Sequence, residues 1–375
     1  MSNRRLISRE YVQYLSVGQE TPFLVLDLQV AEQQYKRLNN ALPGVTLFYA
    51  IKALSHSRLI HSLNCAGSCF DLASPGEVRI ARDAGVTGDR CIQSNPVKKD
   101  KDIRSALEFG CNRFVVDNLT ELKKFATYKD RVEIIIRIAF QNDDALIDLS
   151  SKFGCDDYEV NRIIGYATEK GITISGLSFH AGSQSFTPKA HVKAISHCIY
   201  LMEKAWDVDW KWLDIGGGFP VEYNSPVMQI DEFCKPINEA IGFLPKNIEV
   251  FAEPGRFIAA PAMIEVLTVI GKAQRNGKTW YYLDDGVYGA FSGKLFDRAN
   301  YKVKPLKTLP PGVKLFPSVL AGPTCDSIDV IDSEASLPEL YIGDLMVAQK
   351  MGAYTLSSAT EFNGYPKPYV LTLTP

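Results

Sequence analysis

Between Val45 and Ala252, eight short apolar runs alternate with helix-length amphipathic segments, and this count limits the fold more than anything else in the chain. The runs are Val45 to Ala50, Phe70 to Ala73, Cys91 to Ser94, Arg113 to Asp117, Val132 to Ile138, Ile174 to His180, Trp212 to Ile215 and Ile248 to Ala252. Strands separated by helices cannot join through tight hairpins, so their neighbours run parallel. Eight strand-helix units over about 210 residues match the size and number of a closed (β/α)8 barrel. Segments such as SRLIHSLNCAG, SPGEVRIARDAG and KKDKDIRSALEFG carry apolar residues at helical spacing and end on Gly, as a C-terminal cap requires. The reading is an α/β fold with a barrel over 29–260.

From about Pro261 the rhythm changes to strand-like runs with turn-rich joints: MIEVLTVIGKAQ, GKTWYYLDDGVY, ELYIGDLMVAQ and YVLTLTP. These predict a second, mostly antiparallel β domain. An early extended run, Pro22 to Leu28, has no helical partner before the barrel begins. Residues 1–28 are therefore assigned with 261–375 to the β domain, which is expected to complete the active site.

With 41 basic against 43 acidic side chains, the chain lacks the positive footprint of a nucleic-acid binder. Its longest apolar stretch, Phe257 to Ile270, is broken by Pro261 and Glu265 and is too short for a membrane helix. The N-terminus, MSNRRLISREYVQYLS, has no apolar segment after its charges, so no signal peptide is read and a cytoplasmic location is expected. Eight Cys in 375 residues are too sparse for a disulfide scaffold. Cys65 and Cys69 lack a neighbouring ligand pair and are read as packing residues, so no metal is assigned.

Barrel enzymes carry their reactive groups at the C-terminal ends of the strands, with phosphate commonly bound after strands seven and eight. Strand seven here runs into Gly216, Gly217 and Gly218, and strand eight into Glu253, Pro254, Gly255 and Arg256. Without a Cβ, backbone N–H groups can approach and face an anion. Elsewhere a GGG is most simply a flexible loop; its position after the seventh strand favours the anion. Lys52 follows the first strand, where a sheltered amine suits Schiff-base chemistry, and His180 closes the sixth. Most lysines are solvated and most lone histidines structural, but these share one rim with the glycines and Glu253. An amine, a carboxylate, a flat aromatic group and a phosphate loop together make a pyridoxal 5'-phosphate site.

The chain resembles the ornithine decarboxylase family, alanine-racemase-like pyridoxal phosphate enzymes with a barrel and a β domain. The matching stretches run in order across nearly the whole sequence: YAIKA, FDLASPGEV, IIIRIAF, SSKFG, FHAGSQS, LDIGGGFP, AEPGRF, DDGVYGAF, AGPTCDSID, GDLMVAQKMGAYT and FNGY. One departure is AIKALS, where relatives usually carry a polar residue two places after the lysine.

The resemblance implies that Lys52 holds the cofactor's aldehyde and His180 stacks on its ring. Asp71, Glu77 and Arg137 line the same pocket. Ser183, Gly217, Gly218, Gly255, Arg256 and Tyr354 hold the phosphate end, and Glu253 lies beside the pyridine nitrogen. Cys325 is implied as the proton donor, entering from the neighbouring subunit of a homodimer with shared active sites. Asp297, Asp326 and Phe362 are implied around the substrate tail, and Lys152 with Asp329 as a cross-subunit ion pair. Paired acids suit a distal ammonium, since a buried cation without anions is costly. The expected reaction is decarboxylation of L-ornithine to putrescine, in polyamine biosynthesis. The alternatives are lysine or dual activity, a larger diamine-bearing substrate, or an inactive regulatory homologue. Diaminopimelate decarboxylases generally carry a glutamate after the cysteine, and Asp326 argues against them.

Overall fold

The computed structural model describes residues 9–142, 145–147, 151–223 and 225–373. Eight parallel strands close into a barrel: Val45–Ala50, Cys69–Leu72, Cys91–Gln93, Arg113–Val116, Glu133–Arg137, Thr173–Ser178, Trp212–Asp214 and Glu249–Ala252, the last pairing with the first. Each of the eight apolar runs supplies one strand. Inside, Phe48, Ile92, Val115, Ile135 and Phe251 form one buried cluster, with the rings of Phe48 and Phe251 4.6 Å apart. Such a filled interior confines any reaction to the loops at the strand ends.

Some of the helices between the strands begin or end on clear caps. Ser74 accepts the Glu77 amide at the start of Pro75–Asp83, and Gly110, at φ 95°, ends Asp100–Phe109. One helix departs from the sequence expectation. The early strand, Phe23–Asp27, does have a helical partner before the barrel: Leu28–Ala41 follows it directly. Asp27 caps that helix, accepting from the amides of Gln29 (2.9 Å) and Val30 (3.2 Å). Leu28, Ala31, Tyr35, Leu38 and Ala41 are its buried residues, at helical spacing. The apolar run of the strand continues into Leu28 and obscures the boundary.

Two compact units result. One comprises 32–221 and 227–257 and contains the barrel; the other comprises the residues up to Ala31, 222–226 and 258–375. The second holds an eight-stranded, mostly antiparallel sheet built around Met263–Arg275. Phe23–Asp27 pairs antiparallel with that long strand and parallel with Tyr369–Leu373, so the chain's first strand belongs to this sheet. Lys278–Leu283 with Phe316–Ala321 is the other parallel pair.

Candidate active site

Lys52 lies in the single 3-10 turn, Ile51–Ala53, that leaves the first barrel strand. Its Nζ is 2.8 Å from Oδ2 of Asp71, which is buried near the end of the second strand. The other oxygen of Asp71 accepts from the hydroxyl of Ser94, just past the third strand. Three successive strand ends are thus tied together through one carboxylate. Glu77 reaches back from its helix to the Ala73 amide at 2.6 Å. Burial, and then the neighbouring Asp71, push its carboxyl up to about 7.

His180 follows the sixth strand. Its Nδ1 accepts the Gly182 amide at 3.1 Å, which leaves the ring hydrogen on Nε2. Burial first, then the charges of Arg137 and Lys52, hold its pKa well below the usual histidine value, so the ring is neutral. Arg137 ends the fifth strand with its guanidinium 5.5 Å over the Phe153 ring. Arg256 Nη2 donates to Ser183 Oγ at 3.2 Å, bringing together two residues from loops after the sixth and eighth strands. Next to Gly255, the carbonyl of Pro254 accepts the Ala50 amide at 3.1 Å, joining the eighth strand's loop to the first strand.

The glycines are required where they stand. A Cβ on Gly217 would come within 2.7 Å of the Glu253 carbonyl and 3.2 Å of His180 Nε2, and Gly218 has φ 97°. Glu253 is buried, and its Oε1 has no hydrogen-bond partner. Burial, then Asp214 and Asp71, raise its pKa well above the usual carboxylate range. Asp214 stands at the end of the seventh strand, and its Oδ1 accepts the Gly216 amide at 2.8 Å. Its carboxyl is pushed up to about 7, mainly by burial.

The β-sheet unit carries the remaining expected residues. Cys325 is exposed, and its amide donates to Asn363 Oδ1 at 3.2 Å. Asp326 accepts from the Tyr288 hydroxyl, which holds its carboxyl below the usual range. Tyr288 in turn stacks on Phe362, ring centroids 4.2 Å apart. Cys325, Asp326 and Phe362 therefore form one cluster. Asp297 follows the short turn Gly293–Phe296 in a separate segment, and the Tyr354 carbonyl packs close against Gly293. Asp329 is buried in its own unit, accepting from the amides of Val287 (2.8 Å) and Thr324 (3.1 Å) and from the Thr324 hydroxyl (2.7 Å). Lys152 sits 4.9 Å over the Phe153 ring.

Asp214, Ser94 and Tyr288 were not singled out in the sequence. Asp214 had a signal, an acid directly before the triple glycine; the other two show only through their partners. Among the described residues no helix is long and apolar enough to cross a membrane.

A closed parallel barrel whose strand ends gather a lysine, a neutral histidine, a glycine cradle with an arginine, and an enclosed carboxylate with a bare oxygen is a pyridoxal phosphate-binding barrel. The enclosed oxygen of Glu253 needs a donor of the kind a protonated pyridine nitrogen offers, and the glycines leave room for the phosphate, so these residues fit the cofactor. Residues 28–260 match the family model of the pyridoxal-dependent decarboxylases, pyridoxal binding domain. The solved lysine/ornithine decarboxylase of Vibrio vulnificus, complexed with putrescine, is 47% identical, superposes with a TM-score of 0.92 and covers 98% of both chains. The lysine/ornithine decarboxylase of Selenomonas ruminantium is 37% identical, over 97% of this chain and 92% of its own length. Mouse ornithine decarboxylase is 34% identical over 93% of this chain and 79% of its own. The chain belongs to the pyridoxal-dependent decarboxylase family. It is a carboxy-lyase, and its cofactor is pyridoxal 5'-phosphate.

Proposed function

We propose that this enzyme decarboxylates a basic diamino acid, L-ornithine to putrescine first, in polyamine biosynthesis. The observation that carries the substrate class is Asp326, an ionised carboxylate fixed by the hydroxyl of Tyr288, whose ring stacks on Phe362. A fixed anion beside an aromatic face suits a distal ammonium and penalises a carboxylate-bearing tail. Lysine is the second reading, because the Vibrio and Selenomonas relatives are named for both substrates. One methylene is worth only about 1 to 3 kcal/mol in an apolar pocket, so dual activity needs no special device.

When bound, the cofactor supplies an electron sink for the pair released as CO2 leaves. Lys52 brings the amine, and Asp71, itself braced by Ser94, sets its direction. His180 offers a neutral flat face. Ser183, the glycines at 217 and 218, Gly255, Arg256 and Tyr354 bind the phosphate, while Glu77 and Arg137 shape the pocket wall. Glu253 would hold a proton at the ring nitrogen, which would give its own buried Oε1 a partner. Cys325 delivers a proton to the substrate Cα, and Asp297 and Asp326 bind the tail.

The active form is read as a homodimer with Cys325 and Asp326 serving the partner's site; the exposure of Cys325 in the single chain suits this. A pair between Lys152 and Asp329 would have to compete with the three donors Asp329 already has. Eight unpaired thiols suit a reducing cytoplasm. The intact pairing of Lys52 with Asp71 favours an enzyme over an inactive regulatory homologue. The test is product identification by mass spectrometry from an equimolar mixture of ornithine, lysine, arginine and diaminopimelate. Putrescine as the dominant product supports the proposal; cadaverine alone moves the assignment to lysine, and absence of both amines refutes it.

A further inference from the structure

His191 is not among the residues assigned to the cofactor or the substrate. It lies in the helix Lys189–Lys204, fully buried, with its ring 5.6 Å from Phe219, 5.7 Å from Phe233 and 6.2 Å from Phe179. Its Nε2 is 3.0 Å from the Gly217 carbonyl oxygen. A carbonyl only accepts, so Nε2 carries the hydrogen. Nδ1 is buried without a partner and is bare. Burial lowers the ring's pKa to about 4, which keeps it neutral in the working pH range.

The contact matters because of what it does to the next peptide. All three carbonyls of the glycine run are engaged: Gly216 by the Glu253 amide (2.8 Å), Gly217 by His191, and Gly218 by the Ser185 amide (2.9 Å). A trans peptide is planar, so fixing a carbonyl aims the following N–H the opposite way. Holding Gly216 O aims the Gly217 amide, and holding Gly217 O aims the Gly218 amide. Neither amide meets an acceptor among the described residues. His191 is the one side chain among these three clamps.

We propose that His191 is a positioning residue for the phosphate cradle: its Nε2–H fixes the Gly217–Gly218 peptide so that the Gly218 amide faces the cofactor's phosphate. This rests on reading Gly217, Gly218 and Arg256 as the phosphate site. The competing view is that His191 merely fills an aromatic cluster, a task that Phe performs equally well. The cradle role therefore requires the hydrogen, and the filler role requires only the ring.

The experiment compares wild type, His191→Phe, His191→Gln and Arg256→Met, measuring equilibrium binding of pyridoxal 5'-phosphate and of pyridoxal, which lacks the phosphate, to each apo-protein, together with its thermal midpoint. Loss of one orienting hydrogen bond is expected to weaken pyridoxal phosphate binding of His191→Phe roughly tenfold, with pyridoxal binding and thermal midpoint near wild type. His191→Gln, which offers an amide N–H at a similar reach, is expected to recover most of the affinity. If His191→Phe binds pyridoxal phosphate as wild type does while Arg256→Met is weakened, the positioning role is wrong and the cradle stands. If both variants bind it normally, the cradle reading fails and takes the inference with it. Equal weakening towards pyridoxal and its phosphate also overturns the role, since the effect is then not on the phosphate.

Discussion

Replacing Lys98 with methionine tests how the strand ends are held in place. The Lys98 side chain is fully enclosed. Its Nζ donates to three backbone carbonyls, Asn95 (2.6 Å), Pro96 (3.1 Å) and Val115 (2.6 Å), and stands 4.0 Å from Glu121. Burial lowers the lysine's pKa, with Glu121 and Asp117 opposing. The three carbonyls oppose it further, because only the ammonium offers three N–H groups. The loop it clamps begins at Ser94, whose hydroxyl braces Asp71 against Lys52. Methionine keeps most of the apolar stem and opens little space, so the change removes chiefly the contacts of the ammonium, which also stands 5.6 Å over the Phe125 ring. A hydrogen bond from a charged donor contributes about 1.5–3 kcal/mol net, and removing one partner of a buried cluster costs about 3–5 kcal/mol in all, as the loop relaxes and water satisfies part of it. Urea denaturation of the apo-protein reads this through tryptophan fluorescence, since Trp206, Trp210 and Trp212 all belong to the barrel unit. The Lys98→Met variant is expected to lose about 3 kcal/mol or more, and cofactor affinity should fall as Asp71 loses its brace. A loss under about 1 kcal/mol would show that the carbonyls do not depend on the ammonium, and the clamp would be refuted.

Other outcomes follow from the same geometry. Glu253→Gln removes the acid that holds the ring proton and is expected to lower kcat roughly 100- to 1,000-fold without weakening the apo-protein, measured by steady-state kinetics and thermal melting. Asp214, raised from 3.8 to about 7, keeps a proton in the folded apo-protein that the unfolded chain releases. Its contribution is therefore fully present below the unfolded value and is lost as pH rises to about 7, so the stability of Asp214→Asn relative to wild type should increase across that window. A flat difference in melting midpoint would contradict the raised value. Mixing inactive Lys52→Ala and Cys325→Ala chains should restore about a quarter of wild-type activity if sites are shared across a two-fold axis and subunits exchange at random. Asp326→Asn should raise KM for ornithine and lower kcat/KM by roughly 100-fold, the scale of a lost charge pair.

Much of this was legible in the chain because the barrel repeats itself. Eight apolar runs predict eight strands, and glycines after the seventh and an EPGR after the eighth mark the face where chemistry occurs. What stayed hidden depends on burial that no local pattern records. Lys98 follows an ordinary Asn-Pro turn and looks like any surface lysine until Val115, from the neighbouring strand, closes over it. His191 sits on a helix of unremarkable spacing, and only the approach of the glycine loop gives its ring an acceptor. Asp329, read as one half of a cross-subunit pair, also accepts from three donors within its own unit, which its sequence neighbours do not announce. Leu28–Ala41 was missed for a different reason: the apolar strand before it shares Leu28, and its cap, Asp27, reads as part of that strand.

Which amine carries the cofactor decides the chemistry of the whole site. Borohydride reduction of the holoenzyme, followed by proteolysis and mass spectrometry, fixes the aldehyde carbon to whichever lysine holds it. A phosphopyridoxyl mass on the peptide containing Lys52, with loss of the visible absorbance band, is the predicted result. The same adduct on any other lysine, or none at all, would contradict it.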